Sequence, residues 1–504
     1  MYRIHQIKLS LHEETNSIPY KIKKKLGMMD LSITHWKIVR ESIDARHKDN
    51  IKLVYTVDFE CSGLERLMEQ KNFPCSKAPD LTYRLPKVER KSYKAPVITG
   101  FGPCGMFAAL ILAEAGMEPI VVEQGQPVEQ RIKDIAAFQK KGILNPKSNF
   151  QFGEGGAGTF SDGKLMTGIK DSRIRKVLEE FAAAGGGDDI LYKQHPHLGT
   201  DVLGKVVANI RKKILFLGGQ IRFGTCAEGL STENNKIAGV VLSDGVLETD
   251  DLVLAIGHSA RDTFHMLYDA GIPMEQKPFS IGVRIVHPQN MIDRSQYGDP
   301  QLAERLGAAE YKLSWHTKSG RGVYTFCMCP GGQVVVTSSA PGEVVTNGMS
   351  NRRRDGKFAN SGLLVDVRVT DFESQHPLAG IAFQEKYEKL AYVAGGSDYT
   401  APKTTWGEFA QSDVARCLPG FAVEAICEAM PHLGRKLKGF DDPRATMIGV
   451  ETRSSSPVRL WRGENLQTNI VGLYPGGEGA GYAGGITSAA VDGIRIAEEI
   501  IKRK

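Results

Sequence analysis

Gly100, Gly102 and Gly105 stand in Gly100-Phe101-Gly102-Pro103-Cys104-Gly105, after an apolar run at 95–99 and before a helical pattern at 106–115. Such a strand–turn–helix cradles a diphosphate. Gly100 permits the tight bend, Gly102 lets the backbone approach the pyrophosphate, and Gly105 lets the helix pack closely on the strand. Pro103 and Cys104 fill the variable slots. Glu123 closes the next apolar run, 119–123, where a carboxylate accepts hydrogen bonds from a ribose diol and disfavours a 2′-phosphate. That argues against NADP at this turn.

A second glycine-rich turn, residues 474–485, precedes another helical stretch at 486–501. Two such turns can close over opposite ends of one long dinucleotide, and NAD is the competitor to FAD for that place. The C-terminal turn decides for FAD. Gly477 and Gly485 allow close backbone approach, Glu478 can accept from a ribityl hydroxyl, and a helix starting near Gly485 and Ile486 aims its positive end at the flavin N1–C2=O edge. A third segment, 152–165, holds Gly156, Gly158, Thr159, Ser161, Asp162 and Lys164. Its glycines let a backbone lie against a flat ring, and its polar side chains are placed to bond the flavin edge or a substrate. Arg131 and Gly257 complete the expected cofactor-binding set. No metal-ligating pattern is present, so the expected metal content is none.

A flavin enzyme needs little acid–base machinery, because the cofactor carries the electron pair. The weak catalytic candidates are therefore groups that hold substrate. Arg284, Arg321, Arg453 and Arg459 sit in motif-like segments and could clamp an acidic substrate, although each alone reads more simply as structural. Cys327 and Cys329 alternate along a strand pattern, which predicts that both project to one face. They could shuttle electrons, but filler in the core is the favoured reading. His258 follows a strand end near the cofactor turn, and His316 reads as a solvated loop residue.

These residues need a scaffold that brings distant segments together. Residues 1–92 read as a small α+β module: a strand at 2–11, a helix at 18–26, strands at 31–43 and 51–61, and a second helix at 64–71. Residues 93–274 read as the first part of a Rossmann-like α/β FAD-binding domain, with strands at 95–99, 119–123 and 251–257. Residues 275–445 carry alternating strand patterns (282–286, 322–327, 333–338) and read as an inserted α+β substrate or cap domain. Residues 446–504 return to the FAD-binding domain.

The chain has 504 residues, 41% hydrophobic and 24% charged, as in a soluble globular protein. It lacks an apolar stretch of bilayer length, a signal peptide and any Cys-x-x-Cys, which predicts no membrane partner and a cytoplasmic location. Residues 1–92 hold 18 Lys/Arg against 12 Asp/Glu, and so carry the whole net charge of +6. The simplest reading of that excess, which includes Lys21, Lys23, Lys24 and Lys25, is a solvated helix face. The sharper one is a patch for nucleic acid.

Segments 98–116, 152–165, 324–332, 449–459 and 474–493, with Ser42-Ile43-Asp44-Ala45-Arg46, together resemble the bacterial uncharacterised FAD-dependent dehydrogenases, also called NAD(FAD)-utilising dehydrogenases. The resemblance implies a glutathione-reductase-like FAD-binding fold with an inserted second domain, and it supplies no substrate. A second Gly-x-Gly-x-x-Gly and a Cys-x4-Cys pair are missing, so NAD(P)H is expected only as a transient donor. The resulting expectation is a FAD-dependent oxidoreductase passing a hydride between a small-molecule substrate and flavin N5. A flavin-dependent RNA-modifying enzyme and a non-enzymatic flavoprotein sensor or scaffold stand as rivals.

Overall fold

The computed structural model describes residues 1–64, 73–88 and 93–504. Its centre is a parallel five-stranded sheet in the order Leu473–Pro475, Leu252–Leu254, Val97–Thr99, Ile120–Glu123, Gln220–Phe223. The three inner strands read as unbroken apolar runs because both faces are covered: Val97, Ile98, Val121, Leu252 and Val253 have no exposed surface. Four of the five strands lie where the sequence expects them, at 95–99, 119–123, 251–257 and in the run 470–474 that leads into the second glycine turn. The fifth, Gln220–Phe223, is a half-exposed edge whose four residues are too short a run to show a pattern.

The helix Pro103–Glu114 leaves the first strand with proline at its first turn, where a missing N–H is harmless. It shows no amphipathic stripe, because it is buried all round between the sheet and the helix Ile486–Lys502. The two helices cross so closely that a Cβ on Gly493 would lie 2.1 Å from the Cys104 carbonyl oxygen. The other face of the sheet packs against an antiparallel three-stranded sheet, Ala227–Glu233, Lys236–Leu242 and Gly245–Glu248, through Ile237, Val240 and Leu242. This is the Rossmann-type α/β arrangement expected from the sequence.

Between Leu252–Leu254 and Leu473–Pro475 the chain builds a six-stranded sheet, ordered Ser314–His316, Gly322–Cys329, Phe358–Val367, Phe279–Pro288, Thr446–Glu451, Lys403–Thr405. The helices Ala379–Ala394 and Gly420–Lys436 share its core. Thr446–Glu451 pairs with Phe279–Pro288, so this sheet continues past the expected boundary at 445/446. The chain passes between the two sheets twice, and the two passages pair as antiparallel strands, Met274–Gln276 with Val458–Leu460.

The N-terminal residues form a four-stranded antiparallel sheet, ordered His35–Asp44, Lys52–Glu60, Tyr2–Ser10, Cys75–Lys77, with Ile18 and Ile22 of the helix Ile18–Leu26 in its core. The expected order is found. The second helix expected here, at 64–71, lies outside the described residues beyond Leu64. The edge strand is covered: Glu41 N–H donates to the Tyr192 carbonyl at 2.7 Å, and Gln194 N–H donates to the Glu41 carbonyl at 2.9 Å. Lys48 Nζ donates to the Ser295 carbonyl at 2.7 Å. Of the basic cluster, Lys21 pairs with Glu13 and Lys25 donates to the carbonyls of His5 and Gln6.

Candidate functional site

Both glycine turns and the middle glycine loop wall one cavity of about 470 Å³, roofed by the six-stranded sheet. That volume is in the range of ligand clefts, about 300–1,000 Å³. Gly100, Gly102, Pro103, Cys104 and Glu123 line one end. Gly477, Glu478, Gly485 and Ile486 line another part, with Gly156, Gly158, Ser161, Asp162 and Lys164 from the middle loop and Gly257 after the strand Leu252–Leu254. From the facing sheet come Phe326, Cys327 and Glu451, and Arg453 follows it.

The glycines divide into two kinds. A Cβ on Gly105 would sit 2.0 Å from the Gly100 carbonyl oxygen, and one on Gly100 2.6 Å from the Ala255 carbonyl oxygen. Gly105 therefore serves the helix–strand contact and does not line the cavity. Gly257, Gly484 and Gly485 line it, and a Cβ on any of them would meet no protein atom within 4 Å. Nothing in the described protein requires their lack of a side chain, whereas a ligand lying against the backbone does.

Two helices direct uncapped N-termini at the cavity. Pro103–Glu114 begins after Gly102 and Ile486–Lys502 after Gly485, and neither capping residue offers a side-chain acceptor. His258 Nδ1 is a buried nitrogen with no hydrogen-bond partner among the described residues. Free amides, an orphaned imidazole nitrogen and a glycine-lined cradle all fit a phosphate-bearing, multiply hydrogen-bonding cofactor such as FAD.

Several expected contacts take a different form. Glu123 lines the cavity, but its Oε2 accepts from Phe101 N–H at 2.8 Å and its Oε1 from Gly125 N–H at 2.8 Å and Gly153 N–H at 3.1 Å. It holds the first turn against the middle loop. Arg131 is wholly buried behind that loop and donates to the carbonyls of Asn149, Phe150, Gly153, Glu154 and Gly156. It shapes the cradle without reaching the cavity, and burial lowers it to about 10. Thr159 likewise turns inward, donating to the Glu154 carbonyl at 3.2 Å.

The polar side chains of the middle loop are also engaged by protein. Ser161 Oγ donates to the Gly158 carbonyl at 2.7 Å, and Asp162 accepts from Ser350 and from Arg354, whose Nε is 3.0 Å away. Lys164 donates to the Met328 carbonyl. This loop therefore offers the cavity chiefly its backbone. Glu478 is different. Its side chain keeps 31% of its surface, facing the cavity, with His258 Nε2 at 3.9 Å. Burial pushes it up to about 7 against the pull of Lys277. His258 is driven down to about 3 by burial and then by Arg453 and Arg261, which leaves it neutral.

The arginines weighed as a clamp for an acidic substrate are each engaged by carboxylates of the chain, in keeping with the simpler structural reading. Arg284 is buried against Glu451, Arg321 pairs with Asp371 away from the cavity, and Arg459 reaches the exposed Glu275. Arg453 lines the cavity, yet it grips Glu388 through Nε and Nη2 and gives Nη1 to Ser259 and Ser339. Arg261 shares Glu388 and Glu343, forming a buried charge cluster beside the cavity wall. His316 is exposed, as expected, but it ends the edge strand Ser314–His316 instead of lying in a loop.

Cys327 and Cys329 are not related by simple alternation. A bulge between Phe326 and Cys329 breaks the pairing with Phe358–Val367, and Cys327 takes φ 42°. Cys327 consequently lines the cavity while Cys329 lies fully buried behind it. Glu451 was overlooked as a site residue, although it lies in the quoted 449–459 segment. Arg354, Glu343 and Glu388 carried no local signal at all.

Residues 278–415 and 409–454 match the family model "FAD-dependent protein, C-terminal domain-like", and residues 1–60 match a domain of unknown function. An uncharacterised protein of Clostridium beijerinckii is 44% identical over 526 aligned positions, covering 99% of this chain and 98% of that one. The chain belongs to this family of FAD-dependent proteins. Among solved structures, it resembles a glycine oxidase from Bacillus cereus (14% identity, 82% of this chain, 96% of that one, TM-score 0.32). It also resembles an L-proline dehydrogenase from P. horikoshii (14%, 82% and 94%, 0.35) and CtdE in complex with FAD (12%, 81% and 88%, 0.31). The matched family model is one of FAD-dependent proteins, and FAD is the cofactor it names. Among the described residues, no helix is long and apolar enough to cross a membrane, and no cluster of His, Cys, Asp and Glu could hold a metal.

Proposed function

We propose that the protein is a FAD-dependent oxidoreductase that exchanges a hydride between a small-molecule substrate and flavin N5. The observation that carries this reading is the single cavity walled by the turn at Gly100–Gly105, the loop at 152–165 and the turn at 474–485, with cavity-facing glycines that no protein contact requires. The N-terminus of Pro103–Glu114 would hold the diphosphate, Glu478 would accept from a ribityl hydroxyl, and the helix after Gly485 would turn its N-terminus to the ring.

Bound FAD supplies the electron-pair chemistry. The chain's residues do the holding. Arg131 fixes the middle loop, and Glu123 ties that loop to the first turn. Phe326 and Cys327, with Lys164 and Met166, form the wall toward a second cavity of about 330 Å³, which shares these four residues with the first. We assign the substrate to this junction. Arg284, Arg321 and Arg453 are paired with Glu451, Asp371 and Glu388, so these three do not form a clamp for an acidic substrate.

The absorption spectrum of the purified protein is the first test. Flavin bands in the purified protein, or flavin that co-elutes with it on gel filtration after FAD is added, support the reading, and a protein that retains no flavin overturns it. Stopped-flow reduction with NADH and NADPH then tests whether a nicotinamide nucleotide serves as a transient donor.

A further inference from the structure

Cysteines buried in a protein usually act as small apolar filler. Cys104 and Cys417 fit that description, since burial pushes both thiols up. Cys327 does not. Its φ of 42° is a left-handed conformation that non-glycine side chains rarely adopt, and such strain concentrates at functional positions. The bulge that imposes it turns the side chain out of the strand's alternation and into the wall between the two cavities, both of which Cys327 lines.

Cys329 lies directly behind it. Its Sγ donates to the Cys327 carbonyl oxygen at 3.3 Å, two residues back along the bulged strand. Both are free cysteines. Positive charge stands over the pair: Arg284 Nη1 donates to the Cys327 carbonyl at 2.9 Å, and Lys164 donates to the Met328 carbonyl between them.

We propose that Cys327 and Cys329 form a redox dithiol that exchanges an electron pair with the flavin, with Cys327 as the thiol presented to both cavities. The inference rests on the FAD reading above. In the oxidising direction both S–H bonds break and one S–S bond forms. The electron pair and one proton pass to oxidised FAD, the second proton leaves to water, and the flavin ends reduced by two electrons. The reverse direction returns the pair to the disulfide. The Cys329 hydrogen bond, then Arg284 and Lys164, pull the Cys327 thiol down, while Cys329 is pushed up. That polarity suits Cys327 as the attacking sulfur.

The test has two readouts. Cleavage after Arg321 and Arg352 releases both cysteines on one peptide. After mild oxidation with diamide, alkylation and mass spectrometry should find that peptide lighter by two hydrogens and unalkylated. Anaerobic dithionite titration of FAD-loaded protein should then consume about twice the reducing equivalents per flavin in the wild type as in Cys327→Ser. A peptide that keeps two alkylatable thiols overturns the proposal. So does a disulfide that adds nothing to the titration relative to Cys327→Ser and Cys329→Ser. The peptide readout on the wild type needs no variant to fold and no flavin, so its failure is distinct from failure of the FAD reading, which the spectrum reports.

Discussion

Arg284 Nε lies 2.6 Å from Glu451 Oε2, an ion pair whose arginine has no exposed side-chain surface and whose carboxylate has 6%. The same guanidinium reaches Asn347, Asn360 and the Cys327 carbonyl, so one charge pair ties Phe279–Pro288 to the cavity wall. Removing one partner leaves the other charge buried and alone, which costs about 3–5 kcal/mol. Arg284→Met should lower unfolding stability by that order, measured by urea denaturation. Arg284→Met combined with Glu451→Leu should recover most of the loss. A single variant as stable as wild type would refute the account.

The two kinds of glycine predict opposite outcomes. Gly105→Ala drives a methyl into the Gly100 carbonyl and should abolish soluble, cooperatively folding protein. Gly485→Ala places a methyl with no protein atom within 4 Å, and its φ of 167° is open to any residue. It should leave the melting temperature of FAD-free protein within a degree or so while weakening FAD by about tenfold or more, roughly 1.4 kcal/mol. Fluorescence titration with FAD checks it. Unchanged affinity would remove this backbone from the cofactor site.

The sheet, the glycine turns and the helix after Gly485 could be read from sequence because each is a pattern within some dozen residues. The partners of the arginines could not. Arg284 and Glu451 lie 167 positions apart, and Arg354 finds Asp162 across 192. No local periodicity encodes such pairs, so the arginines in motif-like segments read as structural without any partner that the sequence can name. The bulge at Cys327 hid for a different reason. Thr325-Phe326-Cys327-Met328-Cys329 reads as an unbroken strand, and only pairing with residues 360–365 shows where the register slips. Arg131 was assigned to the cofactor, and the structure shows that it acts on the loop instead.

Arg131→Lys tests that indirect role. Five carbonyls converge on one planar guanidinium, a geometry that a single ammonium with three donors cannot reproduce. The variant should fold, become more susceptible to proteolysis within residues 149–163, and bind FAD several-fold more weakly. Protease mapping separates this from a direct contact, which would lower affinity and leave the loop as resistant as before.

Glu478 gives a pH dependence with a definite sign. Burial raises it from 4.5 to about 7 in the folded protein. Between these values the native state keeps a proton that the unfolded chain releases, so its contribution to stability is full below pH 4.5 and is lost as pH rises toward 7. Thermal melts of FAD-free protein across that window should fall more steeply for wild type than for Glu478→Gln. Parallel curves would show that the carboxylate titrates normally.

The crossing of Pro103–Glu114 with Ile486–Lys502, closed at Gly493 against Cys104, also sets an order of events during synthesis. The apolar helix after the first turn emerges early, yet the helix Ile486–Lys502 that covers it is translated long afterwards. Until Ile486–Lys502 leaves the ribosome, the earlier helix has no lid and the cavity no far wall. A chain that stops short of residue 473 would lack the outermost parallel strand and the closing helix together, leaving a sticky nascent product for chaperones and proteases to clear.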